Sequence, residues 1–80
     1  MVVIAYDIKD DKRLKKVAKY LESHGIRSQK SVFELDINIR KAKKIFQDLQ
    51  DIIGEGDKCF LFEIKNKEDI QANTDIERIL

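Results

Sequence analysis

Proline is absent from this chain of 80 residues, which also has only one cysteine, one histidine and three glycines. The lone cysteine excludes an internal disulfide, and the scarcity of histidine and cysteine excludes a structural zinc site. Because a domain this small buries little surface, we expect two copies to associate. No hydrophobic run approaches the roughly 20 residues of a membrane span, and no signal-peptide pattern opens the chain. We therefore expect a cytoplasmic protein with no membrane partner.

The net charge of +1 conceals an uneven distribution. Residues 1–44 contain twelve Lys and Arg against six Asp and Glu, a balance of +6, whereas residues 45–80 contain four against nine, a balance of −5. Such asymmetry favours an anionic partner for the first half of the chain, although charged faces that are merely solvated are the plainer alternative.

The first half of the chain predicts a strand, a helix and a pair of strands. Residues 1–8, MVVIAYDI, are typical of a central strand buried on both faces. Asp10 or Asp11 is suited to cap the helix that follows, and Gly25 to end it as the residue after the C-cap. Residues 26–37 are typical of extended structure interrupted at Gln29-Lys30. The buried stripe of this helix comprises Leu14, Val17, Ala18 and Leu21.

The second half adds another helix and strand. Asn38 is suited to cap the helix, Gly54 and Gly56 to end it, and residues 58–65 to form a strand. Residues 66–74 are polar, typical of a loop or a helical turn, and residues 75–80 favour a short last strand. The buried stripe of the second helix comprises Ile39, Ala42, Ile45, Phe46, Leu49, Ile52 and Ile53.

This order predicts a single α+β domain over residues 1–80: a ferredoxin-like βαββαβ sandwich with an extra C-terminal strand. Its helices cover one face of an antiparallel sheet. Apolar residues are predicted on both faces of the strands, so we expect a homodimer packed sheet to sheet.

Asp7 raises the main functional question, because a carboxylate ends a strand that is otherwise suited to a core. It is open to three interpretations: a helix cap, a solvated residue, or a ligand for something positively charged. Lys12, Lys15, Lys16 and Lys19 recur on one helical face nearby. Cations beside a carboxylate suit a phosphodiester backbone, the cations binding phosphates and the carboxylate a divalent metal. One carboxylate is too few for Mg²⁺, but a twofold axis would supply a second Asp7.

Three segments resemble a known family in order and spacing. They are Y-D-I-x-D-D-x-R at Tyr6–Arg13, a basic helix ending in His24-Gly25, and Q-K-S-V-F-E at Gln29–Glu34. Together they resemble the small CRISPR-associated (Cas) endoribonucleases of the Cas-two family, over nearly the whole chain. Residues near the C-terminus resemble this family only in general character and contain no matched motif.

The resemblance implies a role in CRISPR adaptation, the acquisition of spacers for antiviral defence. Family members are homodimers in which the last strand, here residues 75–80, crosses to the other subunit. The residue matching Asp7 is the proposed Mg²⁺ ligand, one from each subunit, for cleavage of single-stranded RNA or duplex DNA. The family dimer also bridges two dimers of the Cas-one integrase.

The predicted site combines both lines of reasoning. We expect Asp7 to be the metal ligand of a Mg²⁺-dependent endoribonuclease or endonuclease. Tyr6 and Ser31 are candidates to position substrate, although the pattern suits Tyr6 equally to the core. Only two of the predicted backbone contacts, Arg13 and Lys30, fall inside matched motifs. The predicted nucleic-acid-binding residues are Lys12, Arg13, Lys16, Lys19, Arg27 and Lys30. We expect sequence-independent binding that weakens with salt.

Other functions remain open from the sequence. They are a non-catalytic DNA-binding scaffold, a toxin-type ribonuclease of the related virulence-associated family, and a regulatory ferredoxin-like module.

Overall fold

The computed structural model describes residues 1–65, which form four strands and two helices. In chain order these elements are β1 (Val2–Asp7), α1 (Asp11–Glu22), β2 (Ile26–Gln29), β3 (Val32–Leu35), α2 (Ile39–Gln50) and β4 (Lys58–Glu63). A break separates β2 from β3 as predicted, but it lies one residue later than Gln29-Lys30, since Gln29 ends β2 and the turn is Lys30-Ser31. The predicted loop or turn at 66–74 and the last strand at 75–80 lie outside the described residues.

The four strands form one sheet in the order β2-β3-β1-β4, and every neighbouring pair is antiparallel. Strand β1 is central, with Ala5 opposite Val32 on one side and opposite Phe60 on the other. Its first five residues are all buried, which explains the unbroken apolar run. The predicted ferredoxin-like α+β architecture is confirmed.

Both helices begin at the caps that the sequence predicts. The Asp10 carboxylate accepts from the backbone N–H of Arg13 at 3.0 Å. Asp11 is then the first helical residue, where its negative charge favours the helix N-terminus. The Asn38 side chain accepts from the Lys41 backbone N–H at 2.8 Å. Each cap satisfies a donor that the first helical turn leaves unpaired.

The predicted roles of the glycines in ending the helices are wrong in their details. Ser23 is the C-cap of α1, and of the three glycines only Gly56, at φ 85°, is left-handed. Gly25 is required for a different reason: a Cβ there would overlap the Glu34 carbonyl oxygen and lie 2.8 Å from Leu35 Cγ. Close approach to β3, and not helix termination, therefore requires glycine at this position.

Helix α2 also ends earlier than the sequence predicts. Its last helical residue is Gln50 and its C-cap is Asp51, three residues before Gly54. Ile52 and Ile53, predicted as part of the helical stripe, nevertheless pack against the core from the turn that follows.

The sheet has apolar residues on both faces, as predicted. The face toward the helices carries Ile4, Tyr6 and Phe33, which pack with residues of both helices. Neither of the helices within residues 1–65 is long and apolar enough to cross a membrane. The opposite face of the sheet carries a smaller apolar cluster. The smaller cluster consists of Val3, Ala5 and Val32, with Phe60, Phe62 and Ile64 packed against them.

Candidate functional site

Asp7 ends the central strand and belongs to the sheet face opposite the helices, by alternation from Val3 and Ala5. Its side chain is 28% exposed, and its Oδ2 lies 3.1 Å from Lys9 Nζ. Lys58 is its register partner on β4. Since Asp10 caps α1, the interpretation of Asp7 as that cap is wrong. Asp7 is a partly exposed carboxylate in a basic setting.

The turn between β2 and β3 lies beside the end of β1. Ala5 pairs with Val32, and the backbone N–H of Tyr6 donates to the Ser31 carbonyl at 3.1 Å. Continuing this register by one residue places Lys30 alongside Asp7. The structure thus brings the predicted residues Ser31 and Lys30 to the same end of the sheet as Asp7.

Tyr6, the other predicted substrate-positioning residue, lies in the core. Its ring stacks on Phe33 with centroids 6.3 Å apart. Its buried hydroxyl makes no hydrogen bond of standard geometry within residues 1–65, although the Arg27 guanidinium lies close to it. Burial raises the pKa of Tyr6, and the nearby Arg27 guanidinium only partly opposes this shift. Tyr6 points to the helix side of the sheet and Asp7 to the other side. Its position therefore gives no support to a role in positioning substrate.

Arg13, predicted to bind nucleic acid, is held by a buried carboxylate that the sequence reasoning missed. Its Nε donates to Asp57 Oδ2 at 2.7 Å and its Nη2 to Asp57 Oδ1 at 3.3 Å. The Asp57 side chain also accepts from the backbone N–H groups of Lys9, at 2.8 Å, and Gly54, at 2.7 Å. We call this set of Arg13, Asp57 and the two amides the Asp57 clamp.

The electrostatics of the Asp57 clamp match its geometry. The Asp57 side chain is fully buried, and the Arg13 guanidinium with the two amides holds its pKa well below the usual range. The same ion pair raises the pKa of Arg13. The guanidinium of Arg13 is therefore engaged by an internal partner although the side chain is 33% exposed, and it ties the start of α1 to the loop before β4.

The remaining cations of α1 are free of such bonds. Lys12, Lys16 and Lys19 are exposed on the side of the helix opposite buried Val17 and Leu21. None of the three forms an ion pair with another residue of the described range. They are placed to contact an extended anion without first breaking an internal bond.

Two further predicted cations line a groove between α1 and the β2–β3 turn. Arg27 and Lys30 lie there with Lys15, and Arg27 is 5.3 Å from the centroid of the Phe33 ring. The groove has a volume of about 200 Å³ and includes Ser31, Leu14 and Ala18. Lys15 was omitted from the predicted binding residues, although its place on the helical face signalled it.

A second basic surface was also missed. The first part of α2 exposes Arg40, Lys41, Lys43 and Lys44, of which Lys44 pairs with Asp48 at 3.1 Å. The run of cations was visible in the sequence. The contact of Asp57 with Arg13, in contrast, joins residues 44 positions apart, and no local pattern signals it.

Residues 1–65 of a single chain do not form a complete divalent-metal site. Residues 1–65 contain no group of three or more His, Cys, Asp and Glu side chains that would hold an ion. The carboxylate of Asp7 is a suitable donor for Mg²⁺, but it is single and already paired with Lys9. Among the described residues, the donors fit Mg²⁺ once a second copy contributes its own Asp7.

The family model described as CRISPR associated protein Cas2 matches residues 1–72. The chain belongs to the Cas2 family. The resemblance seen at Tyr6–Arg13 and Gln29–Glu34 is thereby confirmed, since Cas2 is the family called Cas-two above.

Relatives of known name agree with this membership. The chain is 36% identical over 63 residues to "CRISPR-associated endoribonuclease Cas2 2" of Methanospirillum hungatei JF-1, covering 79% of this chain and 71% of that one. It is 38% identical over 64 residues to "CRISPR-associated endoribonuclease Cas2 1" of Chloroflexus aurantiacus, covering 78% and 69%.

Solved structures share the Cas2 fold. Streptococcus pyogenes Cas2 at pH 6.5 superposes with a TM-score of 0.70 at 29% identity, covering 90% of this chain and 92% of that one. A hypothetical protein, TT1823 from Thermus thermophilus, superposes with a TM-score of 0.74 at 32% identity, covering 81% and 80%.

Proposed function

We propose that this Cas2 protein acts in CRISPR adaptation as a homodimeric, Mg²⁺-dependent endoribonuclease or endonuclease, with one ion shared by its two Asp7 carboxylates. The observation that carries the proposal is the position of Asp7. It is a partly exposed carboxylate at the end of the central strand, on the sheet face opposite α1 and α2, with Lys9 as its ion partner and Lys58 as its register partner. The names of the relatives from Methanospirillum and Chloroflexus support endoribonuclease activity.

The second apolar face supports the homodimer. Val3, Ala5 and Val32 form a cluster there with Phe60 and Phe62, both only half-buried. Packing this cluster against its copy would remove the two phenylalanines from water, which is favourable in proportion to the apolar area covered. Asp7 belongs to the same face, so a sheet-to-sheet dimer brings two carboxylates toward its axis.

The side chains of the site divide the work of holding a phosphodiester. A divalent cation, when bound, neutralises phosphate charge and lowers the pKa of a water molecule. The paired Asp7 carboxylates hold the ion in place. Arg27 and Lys30, in their groove beside Ser31 on the helix side of the sheet, bind phosphates farther from the ion, as do the free lysines of α1. These contacts carry no sequence information, so binding depends on salt and not on base identity.

The test is Mg²⁺-dependent cleavage of labelled RNA and duplex DNA by the wild type, Asp7→Asn and Asp11→Asn. Asp11 is the matched control, since it is an exposed aspartate in the first turn of α1. Light scattering measures whether each protein is a dimer. We expect Asp7→Asn to lose cleavage by more than a hundredfold while Asp11→Asn retains it. Cleavage by Asp7→Asn at the wild-type rate would rule out Asp7 as the metal ligand.

A DNA-binding scaffold that bridges Cas-one integrase dimers is the second candidate. It is favoured by the engagement of Asp7 with Lys9 and by the excess of cations on α1 and α2. Its signature is duplex binding by the wild type and Asp7→Asn alike, with no cleavage by either. The Cas2 family match argues against the toxin-type ribonuclease, which would arrest growth on expression.

A further inference from the structure

Lys9 is the cation in direct contact with Asp7, yet neither the sequence motif nor the charge pattern of α1 points to it. Its Nζ lies 3.1 Å from Asp7 Oδ2, and its side chain is 62% exposed against 28% for Asp7. Lys58 is the register partner of Asp7 on β4, but it forms no ion pair with it. Two lysines thus flank the carboxylate, and one of them neutralises it.

The side chain of Lys9 lies on the same side of the sheet as Asp7, because Ile8, the residue between them, lies on the other side. Ile8 packs against the core on the helix side of the sheet. Alternation then directs Lys9 to the side that carries Asp7, although the strand itself ends at Asp7. The spacing of two residues is what allows the ammonium to reach the carboxylate.

The backbone of Lys9 is fixed even though its side chain is exposed. Its N–H donates at 2.8 Å to Asp57 Oδ1, in the buried Asp57 clamp that Arg13 closes. The clamp uses only the amide of Lys9, so its ammonium is free to change partners. Replacing the side chain leaves every bond of the clamp in place.

An ammonium and a divalent cation compete for one carboxylate. An exposed ion pair between flexible side chains is weak, so a divalent cation can displace Lys9 from Asp7 at small cost. The clamped backbone then keeps the ammonium close to Asp7, where a phosphate of the bound nucleic acid is the nearest anion. Charge at the site stays balanced both with and without ligand.

We propose that Lys9 is a substrate-contacting residue of the Asp7 site. In the free protein it neutralises Asp7, and when a divalent cation occupies Asp7 its ammonium moves to a phosphate oxygen of the nucleic acid. This inference rests on the proposed function. The inference predicts that replacing Lys9 has opposite effects on two ligands. Metal binding should become tighter, because a competitor for Asp7 is lost, and nucleic-acid binding should become weaker, because a phosphate contact is lost.

The experiment compares wild type, Lys9→Met, Lys58→Met and Asp7→Asn. Methionine keeps the length of lysine without its charge, and Lys58→Met removes the same charge from a residue near Asp7 that forms no ion pair with it. Electron paramagnetic resonance of free Mn²⁺ measures metal binding without nucleic acid. Fluorescence anisotropy with a mixed-sequence RNA oligomer, in Mg²⁺ and at several salt concentrations, measures substrate binding.

We expect Lys9→Met to bind Mn²⁺ about threefold more tightly than the wild type, the factor that loss of an ordinary surface ion pair supplies. We expect the same variant to bind RNA more weakly, with a salt slope reduced by about one. Lys58→Met should show a smaller gain in Mn²⁺ affinity.

The other outcomes overturn the inference in distinguishable ways. Weaker binding of both ligands by Lys9→Met would indicate a purely structural residue, and no change in either would indicate a solvated one. An equal gain from Lys58→Met would reduce the effect to net charge. If the wild type and Asp7→Asn bind Mn²⁺ equally, the shared-metal proposal fails as well, whereas Asp7-dependent binding with no effect of Lys9→Met overturns the inference alone.

Discussion

Asp57 and Asp7 are two carboxylates joined through Lys9, and they have opposite environments. The side chain of Asp57 is fully buried and accepts hydrogen bonds from Arg13 and from two backbone amides. Asp7 is partly exposed, and its carboxylate pairs with the flexible side chain of Lys9. A buried charge with complete hydrogen bonding is a structural element, whereas an exposed charge with a weak partner is available to a ligand.

The neighbouring cations Arg13 and Lys12 show the same contrast. Arg13 is engaged by Asp57, and Lys12 is exposed without an ion partner in the described range. Both carry the same charge, and the sequence predicts both as phosphate ligands. The comparison teaches that the partner of a charged residue, and not its charge, separates structural from functional roles.

The largest expected effect is that of Asp57→Ala on stability. The substitution leaves the Arg13 guanidinium and two backbone amides without their acceptor, so the urea midpoint should fall markedly. Asp7→Ala should change the midpoint little. Circular dichroism at one fixed protein concentration measures both, because dimerisation would make stability depend on concentration. Comparable losses from the two substitutions would break the contrast between them.

Acid should weaken the fold through the same carboxylate. The pKa of Asp57 is lower in the folded protein than in the unfolded chain, so its contribution is complete above about pH 4 and is lost as the pH falls below that value. Asp57→Asn should therefore show a flatter dependence of stability on pH in this range. Asp48, whose pKa the Tyr20 hydroxyl and Lys44 also lower, is the control.

In that control the side chain is 38% exposed, so solvent screens its interactions. Asp48→Asn should flatten the pH profile less than Asp57→Asn does. An identical pH profile for the wild type and Asp57→Asn would show that the clamp does not hold the carboxylate in its charged form.

Arg13 and Lys12 should separate in nucleic-acid binding. Lys12→Gln should weaken duplex or RNA binding uniformly across sequences and reduce the salt slope by about one. Arg13→Gln should lower the urea midpoint and change the salt slope less, since its guanidinium is held by Asp57. Anisotropy titrations at several salt concentrations test this, and a larger slope change for Arg13 would show that it leaves the clamp to bind phosphate.

The smallest expected effect concerns a buried polar group that lacks what Asp57 has. Tyr6→Phe removes a buried hydroxyl without a partner in the described residues, so the free energy of unfolding should rise by about 1 kcal/mol. Tyr20→Phe is the control, because its hydroxyl donates to Asp48 at 2.7 Å and its loss should lower stability. A loss of stability in Tyr6→Phe would indicate that the Tyr6 hydroxyl has a partner after all.

Local patterns were sufficient for most of the fold. The apolar run of β1, the caps Asp10 and Asn38 and the existence of a break near Lys30 each depend on residues close in the chain. The family resemblance rested on similarly short motifs. The role of Gly25 was mistaken because its neighbour, Glu34, belongs to another element.

The same distinction between local sequence patterns and contacts of distant segments applies to the candidate site. The sequence by itself determined the family, the strand that presents Asp7 and the cations of α1, since periodicity and short motifs record them. Only the tertiary structure decided that Tyr6 is core, that Arg13 is engaged by Asp57, and that Lys9 neutralises Asp7. The physical reason is that burial and pairing depend on distances in space, and residues of the same type and charge acquire different roles once distant segments pack together.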